Sequence, residues 1–176
     1  VGAVGNVTVT GALTNVGVGN LALFKTNSGT LLLSGGSTFS GAGAPDANLV
    51  GGGPLAVREG TLTFANNQTN MVNGEMVIGG LVANGYVGQD ATVIVDSGYL
   101  NVSGWLSIGR GNGTGTVSSV LILNNDAVVE AGNFSAGYAA GTILNYPKGS
   151  ITLNGTSRLI VNGTGDMHVG EGDGGN

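Results

Sequence analysis

The sequence predicts an all-β fold, a parallel β-solenoid of about five to six coils with roughly 28–31 residues in each coil, a length typical of repeat units. Three observations predict it: a short apolar triplet recurs at nearly constant spacing, glycine accounts for 36 of the 176 residues, and Asn-Gly pairs follow several apolar runs. A recurrence of this length indicates one structural unit per repeat. We expect a single β-solenoid domain or segment over 1–176, less regular over 1–60 and clearer over 61–176.

The first strand of each coil is the apolar triplet itself. Its copies lie at 31–33, 62–64, 93–95, 121–123 and 151–153, so the spacing between successive copies is nearly constant. An earlier triplet lies at 7–9, somewhat closer to its successor than the others are. Side chains alternate between the two faces of a strand, so the middle residues should form one outward column.

That outward column is a candidate association surface. It comprises Leu32, Thr63, Ile94, Ile122 and Thr152, of which three are large and aliphatic. A contiguous apolar surface marks an association site. The competing interpretation is that a loop or the segment 1–60 covers the column.

Two further runs complete each coil. In the last three coils the second run spans 99–102, 127–129 and 159–161, and the third spans 106–109, 134–137 and 167–170. The third run ends in glycine each time. The unit at 62–92 is less regular, and 76–79 and 86–88 are expected to fill its later positions. Each coil is therefore expected to have three strands and three turns.

Polar residues follow the first strand directly. Ser34, Asp96, Asn124 and Asn154 occupy matching positions of different coils. Such side chains can stack as a polar ladder that satisfies backbone groups of the bend. The alternative is a set of solvated turns.

An antiparallel β-sandwich is the alternative architecture, because it also has many short strands separated by turn residues. The recurrence of one pattern at nearly constant spacing favours the solenoid. Composition excludes other classes: there is no cysteine for a disulfide scaffold and no Gly-X-Y period for collagen. Five basic residues against ten acidic ones argue against nucleic-acid binding, and no apolar run is long enough to insert into a membrane.

Two segments carry a resemblance to a known family. Residues 91–109 read ATVIVDSGYLNVSGWLSIG, and residues 150–163 read SITLNGTSRLIVNG. They resemble the β-strand repeats of bacterial autotransporter passenger domains, although the C-terminal barrel of an autotransporter is not in this sequence. The resemblance implies a single-stranded right-handed parallel β-helix, an extracellular or cell-surface location, and a role in adhesion or extracellular matrix.

The leading functional hypothesis is a non-enzymatic structural or adhesive module. A solenoid end exposes unpaired backbone groups that can template another chain. We therefore expect self-association, end-to-end or lateral, into extracellular fibres, or continuation in a longer chain. The alternative is a glycan-binding or glycan-degrading β-helix that meets a glycan or a host cell surface. Its candidate sugar-stacking residues are Tyr86, Tyr99, Trp105 and Tyr138.

We expect no catalytic residues, no cofactor and no metal. Asp96 and Asp126 lie in comparable turns of adjacent coils, yet solvated turn acids are the simpler interpretation. His168 is the only histidine and should point outward as an exposed side chain. The Gly/Asp tail would allow calcium at Asp166 and Asp173, but the tandem repeat that such sites require is absent. Seven Asn-x-Ser/Thr sequons begin at Asn6, Asn67, Asn101, Asn112, Asn133, Asn154 and Asn162, residue types that solenoid turns also favour.

Overall fold

The chain is an all-β solenoid of parallel strands stacked in coils. The computed structural model describes residues 5–15, 21–41, 53–79, 90–110, 118–138, 148–165 and 167–170, and these contain no helix. Every strand pairing among them is parallel, so the antiparallel sandwich is wrong. The strands are β1 (Val7–Val9), β2 (Leu23–Lys25), β3 (Thr30–Leu33), β4 (Thr38–Phe39), β5 (Leu55–Val57), β6 (Gly60–Phe64), β7 (Thr69–Val72), β8 (Met76–Ile78), β9 (Ala91–Asp96), β10 (Tyr99–Arg110), β11 (Ser118–Asn124), β12 (Val128–Tyr138), β13 (Lys148–Leu153), β14 (Arg158–Val161) and β15 (Met167–Val169).

One sheet is built from the first strand of each coil, in the order β1-β3-β6-β9-β11-β13. Leu31 pairs with Leu62, Leu62 with Val93, and Val93 with Leu121. Leu121 pairs in turn with Ile151 at the far end. The spacing of the apolar triplets in the sequence is therefore the coil period of the structure.

The second and third strands of the coils form the other sheet. In β10 and β12 the chain runs through both strands without a break, and the pairing shifts register between Val102 and Trp105. The less regular unit differs from the prediction. β7 fills the second position and β8 the third, while 86–88 lies outside the described residues. The Thr69–Val72 strand is not predicted, because polar residues interrupt the alternation of apolar side chains.

The solenoid has about four turns that are flanked by another coil on both sides, slightly fewer than the five to six coils predicted. These four contain β3 to β5, β6 to β8, β9 with β10, and β11 with β12. The coils of β1 and β13 lie at the two ends of the first sheet, so each has a described neighbour on one side only.

The core lies inside the coils and consists of stacked columns of aliphatic and phenylalanine side chains. Leu55, Met76, Leu106 and Phe134 form one such column and are all buried. Two inward positions depart from this rule. Asn70 is buried and pairs with Leu100, and Lys25 is completely buried and pairs with Val57. Lys25 carries the larger departure, because it brings an amine into the core. Lys25 Nζ donates hydrogen bonds to carbonyl oxygens rather than to a carboxylate.

Candidate functional site

A cleft on the outer flank of the third-strand column gathers the most varied chemistry among the described residues. It has a volume of about 140 Å³ and is lined by Trp105, Arg110, Ser135 and His168. We call it the Trp105 cleft. The outward positions of three successive coils supply it, because Ser107 pairs with Ser135 and Ser135 pairs with His168.

An aromatic pair forms one wall of the Trp105 cleft. The rings of Trp105 and His168 stack with centroids 5.5 Å apart and an angle of 26° between their planes. Strand alternation turns His168 outward, as predicted, while Met167 and Val169 take inward positions opposite Phe134 and Ala136. His168 is nevertheless half-buried rather than exposed, because the large Trp105 side chain reaches it across the intervening coil.

Arg110, which lines the cleft, is held in an ion pair with Glu75. Arg110 Nη1 lies 2.7 Å from Glu75 Oε1, and both side chains are largely shielded from water. The same Glu75 oxygen accepts a hydrogen bond of 3.0 Å from Ser107 Oγ. Glu75 precedes β8 and Arg110 ends β10, so stacking of two coils brings together residues that are far apart in sequence.

The floor of the cleft is Ser135, whose relative exposure is 2%. Its Oγ is buried and has no hydrogen-bond partner among the described residues. A buried hydroxyl without a partner costs about 1–3 kcal/mol, so native structures rarely retain one without a reason.

A second polar network lies on the neighbouring flank. Tyr99 Oη donates a hydrogen bond of 2.6 Å to Glu130 Oε2 and accepts one of 3.2 Å from Asn101 Nδ2. The hydrogen bond to Glu130 raises the pKa of Tyr99, and partial burial adds to the shift.

The four predicted sugar-stacking residues therefore have different outcomes. Tyr99 serves the network with Glu130, and Trp105 lines the cleft. Tyr86 and the side chain of Tyr138 lie outside the described part of the chain.

The predicted outward column is continuous in the structure. Its five residues pair in register from coil to coil, and Thr8 extends the column past Leu32. Leu32, Thr63, Ile94 and Ile122 are half-buried, and Thr152 is exposed. Whether this column associates with anything stays a prediction.

The predicted turn ladder is only partly continuous. Asn154 Nδ2 donates to Asn124 Oδ1 at 2.8 Å, which joins two coils directly. Asp96 instead accepts from Asn125 Nδ2, one residue further along the next coil. Ser34 Oγ makes a long contact of 3.4 Å to Val9 O. Ala65 occupies the ladder position between Ser34 and Asp96, as its backbone hydrogen bond to Leu33 O shows. Its methyl side chain cannot continue the polar ladder.

The remaining polar features are shallower. An open depression of about 350 Å³ at the corner before the first sheet is lined by Ser28, Glu59, Gly60, Thr61, Asp90 and Thr92. Within the described ranges no three His, Cys, Asp or Glu side chains are grouped so as to hold a metal ion. The candidate calcium ligands Asp166 and Asp173 lie outside the described residues.

Comparison with known proteins finds no matching family model, no matching curated protein and no matching solved structure. The class of the protein therefore rests on its own geometry, which is that of a parallel β-solenoid. No helix in the described part of the chain is long and apolar enough to cross a membrane.

Proposed function

We propose that the chain is a non-enzymatic structural and adhesive module of a secreted or surface-displayed bacterial protein, of the autotransporter passenger type. In this proposal its coils stack end to end with those of other copies to build extracellular fibres. The proposal is supported by the passenger-like repeats at 91–109 and 150–163 and by the exposed apolar side chains at inward positions of the last described coil.

The observation that carries the proposal is the open face of that coil. Leu153, Met167 and Val169 occupy inward, core-type positions, yet their relative exposures are 51%, 62% and 66%. Their register partners Leu123, Phe134 and Ala136 lie one coil earlier and are buried, because the last described coil covers them. Another coil of the same type, whether it belongs to another copy or to a continuation of the same chain, would bury these side chains in the same way. It would also pair with the free edges of β13, β14 and β15, each of which pairs with a single described strand.

The contacts of two carboxylates, Glu75 and Glu130, support a non-enzymatic role. Hydrolysis of a glycan requires two carboxyl groups placed across the scissile bond as acid and as base or nucleophile. Glu75 is engaged by Arg110 and Ser107, and Glu130 is engaged by Tyr99. These contacts hold both acids in structural roles.

Sedimentation velocity over a concentration series tests the proposal. The wild-type chain should associate, and the double variant Met167→Lys/Val169→Lys should stay monomeric because two charges on the open face would have to be desolvated. Thr152→Lys is the matched control, since it adds a charge to the same coil on its exposed flank.

Each outcome has a distinct meaning. Association of Thr152→Lys together with loss of association in the double variant supports end-to-end stacking. The reverse pattern assigns association to the outward column of the first sheet and overturns stacking. A wild-type chain that is monomeric at every concentration contradicts the proposal altogether.

A further inference from the structure

The Trp105 cleft has the size and the mixed polarity of a site for a single six-membered ring. An apolar cavity of about 150 Å³ holds benzene, and the cleft encloses about 140 Å³. Unlike an apolar cavity, it combines an aromatic wall with polar groups at its floor and rim. Small-molecule sites have this combination of apolar lining and a few placed polar groups.

The unsatisfied hydroxyl of Ser135 is the observation that points to a ligand. It lines the cleft, retains only 2% exposure, and lacks a hydrogen-bond partner among the described residues. The stacked rings of Trp105 and His168 line the same cleft, so the hydroxyl lies beside an aromatic wall. A ligand hydroxyl that enters the cleft would supply the missing partner.

The charges around the cleft select a neutral ligand. Arg110 lines the cleft and is paired with Glu75 at 2.7 Å, so its guanidinium offers donors while its charge is neutralised. The whole chain carries a formal charge of −5, which disfavours an anion further. A ring with an apolar face, several hydroxyls and no charge fits these requirements.

We propose that the Trp105 cleft binds a neutral pyranose ring of a carbohydrate. The indole packs on the apolar face of the sugar with the face that His168 does not cover, Ser135 Oγ exchanges a hydrogen bond with one sugar hydroxyl, and Arg110 donates to a hydroxyl at the rim. The site lies on the flank of the solenoid and does not depend on end-to-end stacking.

Intrinsic fluorescence provides a direct readout, because Trp105 is the only tryptophan of the chain. Titration with neutral methyl pyranosides and short neutral oligosaccharides should give a saturable change in emission for at least one sugar. The corresponding uronic acid, which adds a carboxylate, should bind more weakly. Ser135→Ala should reduce the affinity about tenfold, the loss expected for one hydrogen bond.

Two variants separate binding from folding. Ser135→Ala removes an unsatisfied group, so its thermal midpoint should equal or exceed that of the wild type. Ser119→Ala is the matched control, because Ser119 is a buried serine of the first sheet and donates to Gly79 O. Its sugar affinity should stay unchanged. Absence of a saturable signal with every neutral sugar, equal affinity in Ser135→Ala, or stronger binding of the uronic acid would each overturn the proposal.

Discussion

At the scale of single residues, Lys25 shows how the solenoid accommodates a charge inside its core. The side chain is fully buried in register with Val57. Its Nζ donates to Thr26 O at 3.2 Å, Asn27 O at 2.5 Å and Glu59 O at 2.9 Å. The lysine thus closes the corner of its coil by satisfying three carbonyl groups, which an aliphatic residue cannot do.

The pKa of Lys25 makes this role measurable. Burial lowers the pKa from its ordinary value of 10.5, and the Glu59 charge partly opposes the shift. The folded state therefore binds the proton less tightly than the unfolded state, so the unfolding free energy rises with pH between the lowered pKa and the ordinary one. Lys25→Met should abolish this rise. It should also cost about 1–3 kcal/mol near neutral pH, because the three carbonyls lose their donor.

Chemical denaturation at a series of pH values measures both effects. Lys148→Met is the matched control, because Lys148 is exposed at the start of β13 and its loss should change neither quantity. If the unfolding free energy of Lys25→Met rises with pH as much as that of the wild type, the pH dependence does not come from Lys25.

A second residue-scale prediction concerns the corner after the first strand. Asn66, Ser97, Asn125 and Gly155 occupy it in successive coils, all with φ between 59° and 70°. Asparagine and glycine tolerate this left-handed conformation better than serine does. Ser97→Asn should raise the unfolding free energy by about 0.5–1 kcal/mol, and with it the thermal midpoint by about 1–4 °C.

Ser97→Ala provides the opposite control. It keeps the Cβ in the left-handed conformation and removes the hydrogen bond from Ser97 Oγ to Asp96 O. Its midpoint should fall. Equal thermal midpoints of Ser97→Asn and Ser97→Ala in differential scanning calorimetry would contradict this role of the left-handed backbone.

At the scale of elements, the corner between the second and third strands depends on close contact between backbones. A Cβ added to Gly132 would lie 2.5 Å from Ser103 O of the coil before it. Overpacking of a closely fitted site typically costs about 1–3 kcal/mol. Gly132→Ala should therefore lower the unfolding free energy by about that amount in a denaturant titration.

The matched control is Gly11→Ala, since a Cβ at Gly11 would meet no atom within 4 Å. Its stability should stay within about 0.5 kcal/mol of the wild type, as for ordinary surface changes. Equal stability of the two variants would show that the coils can separate locally at Gly132 without cost.

Sequence reasoning recovers the elements whose pattern is a strict alternation of large apolar residues. The first strands of successive coils fall at the predicted positions, because Leu31, Leu62, Val93 and Leu121 must all point inward. The same reasoning overlooks β7, in which the buried Asn70 interrupts the apolar pattern. It also gives no hint of Lys25, since lysine is almost never fully buried.

The candidate site is harder to predict. The sequence singles out Trp105 as a sugar-stacking candidate, but not Glu75, Ser107 or Ser135, because each looks like an ordinary polar residue in its own strand. Only the coil-to-coil register brings Ser107, Ser135 and His168 into one column. The column can be recognised in the sequence when the third runs of the coils are aligned at their terminal glycines.

At the scale of the whole molecule, each coil contacts mainly the coils next to it. Stability in such repeat proteins is close to a sum of coil terms and interface terms. Deletion of 62–92 removes one full coil period and places Val93 where Leu62 was, because these two residues are register partners. The shortened chain should still fold into a solenoid with lower total stability and an intact β-sheet circular dichroism spectrum.

Deletion of 62–76 is the control for that experiment. It removes about half a coil and brings residues of the third strand to the position of the first, so the inward columns no longer align. This variant should fail to fold. If both deletions fold equally well, or both fail, then the coil is not the unit of the structure.

The open face of the last described coil links the whole molecule to its proposed function. Hydrogen–deuterium exchange of the wild-type chain, followed as a function of protein concentration, tests the central claim most directly. At low concentration the amides of β13 that face away from β11 should exchange fast, whereas those of β9 should be protected because this strand lies between β6 and β11. At high concentration the β13 amides should become protected while exchange in β9 stays the same. Exchange in β13 that is independent of concentration would contradict stacking of coil on coil.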